Sequence, residues 1–297
     1  MTLPRNAITR RTALGALLLP LAACAFAPTT SRTPSPERHE RLIDLERRFG
    51  ARLGVYALAT GSGRTLTHRA EESFAFCSTF KALATAAILH RNPLSHLDAV
   101  VRYAESDLMK SSTVTREHLA TGMTLRELCD AAVRYSDGTA GNLLLRDLGG
   151  PAELTAYTRT LGDTVTRMDR IEPFITEATP GDPRDTSTPR ALATDFQRLI
   201  LGDALPAEKR AFLQDLMERN LTGAQRIRAG IPQDWRVADK TGTGDYGTLN
   251  DIAILWPPDM PPIVLALMSS KPAEDAPYDQ ALLAEAAAYV ADSLGRR

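Results

Sequence analysis

The chain of 297 residues contains only three cysteines and five histidines, and none of them form Cys-x-x-Cys or His-x-His spacings. The usual frameworks for zinc are therefore missing. Net charge is also nearly absent: 35 Lys+Arg against 36 Asp+Glu leave −1, so no basic field awaits nucleic acid. There is no internal repeat and no Gly-x-Ser-x-Gly, and no histidine follows His118. Those gaps disfavour a Ser-His-Asp esterase. The one long apolar run, Ala13 to Ala23, is too short to span a bilayer as a stable anchor. What remains is 43% hydrophobic content in a chain long enough for one large domain or two interleaved ones.

Arg5, Arg10 and Arg11 precede that apolar run, which predicts a signal peptide over residues 1–23. Thr9-Arg10-Arg11-Thr12-Ala13-Leu14 resembles a twin-arginine export signal, with two ordinary basic residues as the alternative. Leu21-Ala22-Ala23-Cys24 resembles a bacterial lipobox, which implies lipidation of Cys24; a plain cleavage site is the alternative. Residues 24–36, rich in Pro, Ser and Thr, read as a flexible tether. Together these predict an exported protein of the periplasm, cell envelope or exterior, whose only membrane contact is a lipid anchor.

Beyond the tether, Leu42, Leu45 and Phe49 are spaced as on an amphipathic helix that Gly50 ends. Arg52–Leu58 and Arg64–His68 flank Thr60-Gly61-Ser62-Gly63, a hairpin signal. Helical patterns dominate from Ser78 to about Met217. Strand patterns return at 236–243, 250–256 and 263–268, and a closing helix follows at 278–294. Strands at both ends around a helical middle predict one sheet built from both termini, with an inserted helical lobe.

Chemistry collects on four stretches. In Cys77-Ser78-Thr79-Phe80-Lys81, Ser78 opens a run of helix formers, and a lysine three residues on shares its face. The helix N-terminus also offers unpaired N–H groups to a developing oxyanion. In Tyr135-Ser136-Asp137-Gly138, Ser136 lies on a turn between two helical patterns, where it can deliver a proton or simply cap. Arg170-Ile171-Glu172-Pro173 opens a Pro/Gly/Asp-rich loop to Asp185. An Arg170–Asp185 ion pair at its neck would hold Glu172 inward as a base. Lys240-Thr241-Gly242-Thr243-Gly244 ends a strand. Its small residues admit a ligand along the strand edge, and Lys240, reinforced by Arg226, can attract a carboxylate. Each stretch alone also reads as a cap, a turn or a solvated side chain.

Taken in order, Ser-x-x-Lys, Ser-Asp-(Asn/Gly), Glu-Pro in a long loop and Lys-Thr-Gly closely resemble a class A serine β-lactamase. They are the motif set of that family and of the penicillin-binding proteins. The Ser-Asp-Gly form is similar to that of some actinobacterial members, and the resemblance runs from about Glu37 onward. It implies a two-lobed α/β (α+β) fold. A five-stranded antiparallel sheet with flanking helices would use residues 37–76 and 219–297, and an all-helical lobe residues 77–218. It also implies hydrolysis of penicillins and cephalosporins through a serine acyl-enzyme, conferring antibiotic resistance, by a monomer that needs no cofactor or metal.

Carried onto this sequence, the resemblance makes Ser78 the nucleophile, Lys81 its proton-handling partner, and Ser136 the donor to the lactam nitrogen. Glu172 would activate the deacylating water. The backbone N–H groups of Ser78 and Thr243 would form the oxyanion hole. Lys240, Thr241, Gly242, Thr243, Arg226, Asn142 and Gly138 would contact substrate, while Arg170, Asp185 and Asp137, and Asn142 as well, support the site.

Several positions depart from the family pattern. Gly138 stands where asparagine is usual and Ser111 where an aromatic walls the cleft mouth, both suggesting a more open site. Thr176 replaces an asparagine that positions the hydrolytic water, and its shorter hydroxyl bears on deacylation and not on acylation. Cys129 faces Thr85 in place of its customary disulfide partner, and Gly244 replaces the cysteine that bonds the Cys77 position in some relatives. Cys77 and Cys129 are therefore expected to be free thiols. A penicillin-binding DD-peptidase or sensor is the nearest rival, and Glu172 discriminates against it. A non-enzymatic lipoprotein that binds cell-wall peptides would need no such set of residues.

Overall fold

Residues 39–295 are described in a computed structural model. The expected signal peptide, lipobox at Cys24 and tether lie outside the described residues. The helices are α1 (Glu40–Phe49), α2 (Phe80–Arg91), α3 (Leu125–Arg134), α4 (Gly138–Leu148), α5 (Pro151–Thr160), α6 (Pro189–Ile200), α7 (Ala207–Glu218), α8 (Ile227–Gly230) and α9 (Gln280–Leu294). The strands are β1 (Arg52–Ala59), β2 (Thr65–His68), β3 (Phe74–Ala75), β4 (Val100–Val101), β5 (Met123–Thr124), β6 (Thr186–Ser187), β7 (Arg236–Gly244), β8 (Thr248–Trp256) and β9 (Ile263–Ser270).

A five-stranded antiparallel sheet in the order β2-β1-β9-β8-β7 joins the two ends of the chain. Its centre shows why both faces must be covered. In β9, Ile263, Leu265 and Leu267 point to one face, and Val264, Ala266 and Met268 to the other; all are buried. The first set packs with Leu42 and Leu45 of α1 and Leu283 and Val290 of α9. The second packs with Phe80 and Leu83 of α2 and Phe196 of α6. Burying a leucine-sized side chain contributes about 1.5–3 kcal/mol, so these two layers hold the sheet between helices.

Helix α2 has no polar face. Every residue from Phe80 to Leu89 is buried, Lys81 and Thr85 included, as for a helix enclosed on all sides. It leads out of a 3₁₀ turn, Cys77–Thr79, so Ser78 precedes the α-helix rather than lying within it. Residues 77–218 are not purely helical: β3 pairs with β6 and β4 with β5, and α6 packs on the main sheet. Periodicity could not reveal two-residue strands, which are too short to carry an alternation.

Cys77 and Cys129 are both free and fully buried. Burial pushes the Cys77 thiol far up and the Cys129 thiol up to about 12. Peptide mapping after iodoacetamide treatment should leave both unmodified in native protein at pH 8 and alkylate both after denaturation. Native-state labelling of either would contradict the packing.

Candidate active site

Three elements deliver acceptors to a single nitrogen. Lys81 Nζ lies 2.9 Å from Ser78 Oγ, 2.9 Å from Glu172 Oε1 and 2.8 Å from the carbonyl oxygen of Ser136. Ser78 Oγ is in turn 3.3 Å from Glu172 Oε1. Ser78, Lys81 and Glu172 are all buried, so the triangle operates out of bulk water. Burial pushes the Glu172 carboxyl up. The Lys81 charge, hydrogen bonds from Lys81 and Ser78, and the Lys240 charge outweigh it and hold the group below its ordinary value.

Ser136 is fixed by its neighbour. The Asp137 carboxylate caps α4 at Ala140 N (2.9 Å) and accepts from Val114 N, Thr115 N and the Thr115 hydroxyl. The turn it stabilises places Ser136 at φ 57°, a left-handed conformation that is costly for serine. That conformation sends the Ser136 carbonyl to Lys81 and its hydroxyl to Lys240 Nζ, 3.0 Å away. Lys240 also donates to Thr241 O at 2.9 Å. Burial first, then the nearby Lys81 charge, pulls the Lys240 pKa well below that of an ordinary lysine.

The Glu172 loop is closed as the sequence suggests. Arg170 Nε meets Asp185 Oδ2 at 2.6 Å, and Asp185 Oδ1 accepts from Asp169 N and Arg170 N. Glu172-Pro173 is cis. Asn142, expected as a substrate contact and as a structural support, spends its side chain on the loop: Glu172 N donates to Asn142 Oδ1 and Asn142 Nδ2 to Glu172 O, each at 3.0 Å. Thr176 donates its hydroxyl to Pro173 O at 2.6 Å, and its carbonyl accepts from Asp245 N at 2.8 Å, pinning the loop to the end of β7.

Strand β7 lies directly on the Ser78 turn because Gly242 has no side chain: a Cβ there would sit 2.5 Å from Phe76 O. Arg226 does not turn its guanidinium to Lys240 as expected. It donates to Gly242 O and Asn250 O and, at 2.7 Å, to Thr243 Oγ1, so it reaches a ligand only through the Thr243 hydroxyl. The Thr241 hydroxyl is shared with Thr222, 2.5 Å away. Nor does Gly138 open the cleft. It is buried, and the space beside it is filled by Ser111. No group of three or more His, Cys, Asp or Glu able to hold a metal occurs among the described residues.

Comparison with known proteins agrees with this geometry. The sequence profile described as "Beta-lactamase enzyme family" matches residues 37–294. The chain belongs to that family. It is 53% identical over 291 residues to a "Beta-lactamase" of Mycobacterium tuberculosis, covering 94% of this chain and 95% of the relative. It is 54% identical over 270 residues to one of Amycolatopsis lactamdurans, covering 91% and 89%. Among solved structures, the β-lactamase from Streptomyces albus G superposes with TM-score 0.84 at 46% identity, covering 86% of this chain and 98% of that one. The class A β-lactamase from Clostridium kluyveri gives 0.85 at 44% identity, covering 86% and 98%. The chain is thus a class A serine β-lactamase, a hydrolase of β-lactams associated with antibiotic resistance.

Two supports of this β-lactamase site escaped the sequence patterns. Asn250 Nδ2, on β8, donates to Ala75 O and Phe76 O, tying the sheet to the approach of the nucleophile turn. Arg228 donates to Asp239 Oδ1 at 2.7 Å beneath β7. The polar pair Asn250-Asp251 at the head of an apolar strand run is the only available signal for the first, and nothing local marks the second. Replacing Asn142 by Ala removes two hydrogen bonds from the loop clip. Thermal unfolding should show a loss of ~2 kcal/mol, roughly 4–8 °C in Tm, with deacylation slowed more than acylation. An unchanged Tm would mean the loop is held without it.

Proposed function

We propose the following division of labour. Ser78 Oγ attacks the lactam carbonyl while its proton passes to the Lys81–Glu172 pair, both of whose members touch that oxygen. The backbone N–H groups of Ser78 and Thr243 stabilise the oxyanion. As the ring opens, Ser136 gives its hydroxyl proton to the departing nitrogen and regains one from Lys240, which touches that hydroxyl. The proton taken from Ser78 by the Lys81–Glu172 pair returns to Lys240 through water, leaving Glu172 ionised. Glu172 then draws a proton from a water that attacks the acyl carbonyl and returns it to Ser78 Oγ as the ester bond breaks, freeing Ser78. Lys240, Thr241 and Thr243 hold the substrate carboxylate, with Arg226 positioning Thr243. Because Lys240 bonds only a hydroxyl and a carbonyl, its charge is left for an incoming anion. No cofactor takes part.

The observation that carries the proposal is the shared contact of Ser78 Oγ, Lys81 Nζ and Glu172 Oε1. A penicillin-binding protein that only acylates has no use for a carboxylate in that contact. We further propose that the enzyme acts as a monomer after export to the periplasm, cell envelope or exterior, with Cys24 lipidated as its anchor. Detergent-phase partitioning of the full chain, lost in Cys24→Ala, tests the anchor.

Glu172→Gln keeps the shape and removes the base. With benzylpenicillin, intact-mass measurement should show one drug equivalent retained on Ser78, with turnover reduced by ~10³-fold or more. Full turnover by this variant would remove Glu172 from deacylation.

A further inference from the structure

Besides Lys110, three positions on the wall that faces β7 across the cleft matter here, and two of them offer a ligand nothing. The Asn142 side chain is consumed at both ends by the Glu172 backbone. Gly138 has no side chain. The third is Ser111. A Cβ built on Gly138 would lie 2.3 Å from Ser111 Oγ and 3.2 Å from Met109 Cβ, so the Ser111 hydroxyl occupies the place that a side chain at 138 would take.

That placement is enforced. Met109 N donates to Ser112 Oγ (2.8 Å) and Thr139 Oγ1 (2.9 Å), and Thr139 Oγ1 reaches Asp107 O at 2.9 Å. The segment before Ser111 is therefore bolted to the first turn of α4. Ser111 itself is exposed, and its hydroxyl has no hydrogen-bond partner among the described residues. It lines a cavity of about 480 Å³ together with Glu172, Thr176, Thr243, Gly244 and Tyr278. The opposite side of that cavity is Thr243 and Gly244 at the end of β7, the edge strand of the main sheet. A trans amide points its N–H and C=O in opposite directions. An amide lying between the two walls therefore turns one of these groups to the strand edge and the other to Ser111, whose hydroxyl can donate to a carbonyl.

Resting on the proposed active-site reading, we propose that the Ser111 hydroxyl is the specificity contact for the carbonyl of the side-chain amide carried beside the β-lactam ring. It takes over from the side chain that Gly138 lacks. The two positions are coupled by sterics: the hydroxyl holds its place only while residue 138 is glycine.

The test compares kcat/KM of the wild-type enzyme, Ser111→Ala, Ser111→Thr, Gly138→Ala and the Ser111→Ala/Gly138→Ala double variant. One substrate is benzylpenicillin, which carries the amide; the other is 6-aminopenicillanic acid, which has a free amine there. Loss of one hydrogen bond predicts a roughly 3- to 10-fold fall for Ser111→Ala on benzylpenicillin, mainly in KM, and less than 2-fold on 6-aminopenicillanic acid. Ser111→Thr should restore the selectivity. Gly138→Ala should lose it by displacing the hydroxyl, and the double variant should lose no more than either single one. Equal losses on both substrates, no loss on benzylpenicillin, or additive losses in the double variant would each overturn the proposal. Failure of the wild-type enzyme to turn over either substrate would instead overturn the active-site reading beneath it.

Discussion

A buried cation must be met by acceptors or it destabilises the fold that encloses it. In this protein that cation is the Lys81 side chain, with no exposed surface, and its acceptors come from three separate places: the 3₁₀ turn at Ser78, the turn at Ser136 and the loop at Glu172. Much of the surrounding structure can be understood as the means of bringing them together. The apolar enclosure of α2 fixes the nitrogen. The Asp137 cap holds Ser136 in a backbone conformation that serine does not favour, and that conformation aims its carbonyl at Lys81. The nucleophile is held by the same contact that satisfies the lysine, so positioning and charge compensation are one interaction.

The Glu172 loop has to supply that carboxylate without the support of a regular element, and it is anchored at three points. Arg170 and Asp185 close its neck, Asn142 grips the main chain of Glu172 itself, and Thr176 O ties it to the end of β7. The last of these links the base to the strand that carries Lys240. Lys240 is a second buried amine close enough to Lys81 to feel its charge, and its hydrogen bonds go to Ser136 and Thr241. Two amines beside one carboxylate suit a substrate that enters as an anion, whose charge offsets the burial and the Lys81 charge that pull the Lys240 pKa down.

Much of this was legible in the sequence. The strands at 236–244 and 263–270 announce themselves by composition, and the sheet does join the two ends of the chain. Ser78 and Lys81 are three residues apart, so helical geometry alone brings them near each other. Ser136, Glu172 and Lys240 were found as motifs in order, which required a family resemblance rather than spacing. What was not legible lies in contacts between distant segments. No local pattern says that the Asn142 side chain grips the main chain of Glu172, thirty residues on. Arg226 was expected beside Lys240 and instead serves backbone carbonyls and Thr243, because a buried guanidinium with five donors goes where acceptors cluster. Gly138 was read as an opening. Whether a missing side chain leaves a hole depends on what packs against it, and here Ser111 does.

The central claim is that the Ser78–Lys81–Glu172 contact completes both halves of a hydrolytic cycle. The direct measurement is benzylpenicillin hydrolysis by the purified enzyme over many turnovers, with intact mass followed in parallel. Sustained linear turnover, with the drug adduct on Ser78 only transient, is the expected result. A single stoichiometric burst that leaves the drug on Ser78 would contradict the account, because acylation would proceed while Glu172, held as it is, failed to release the product.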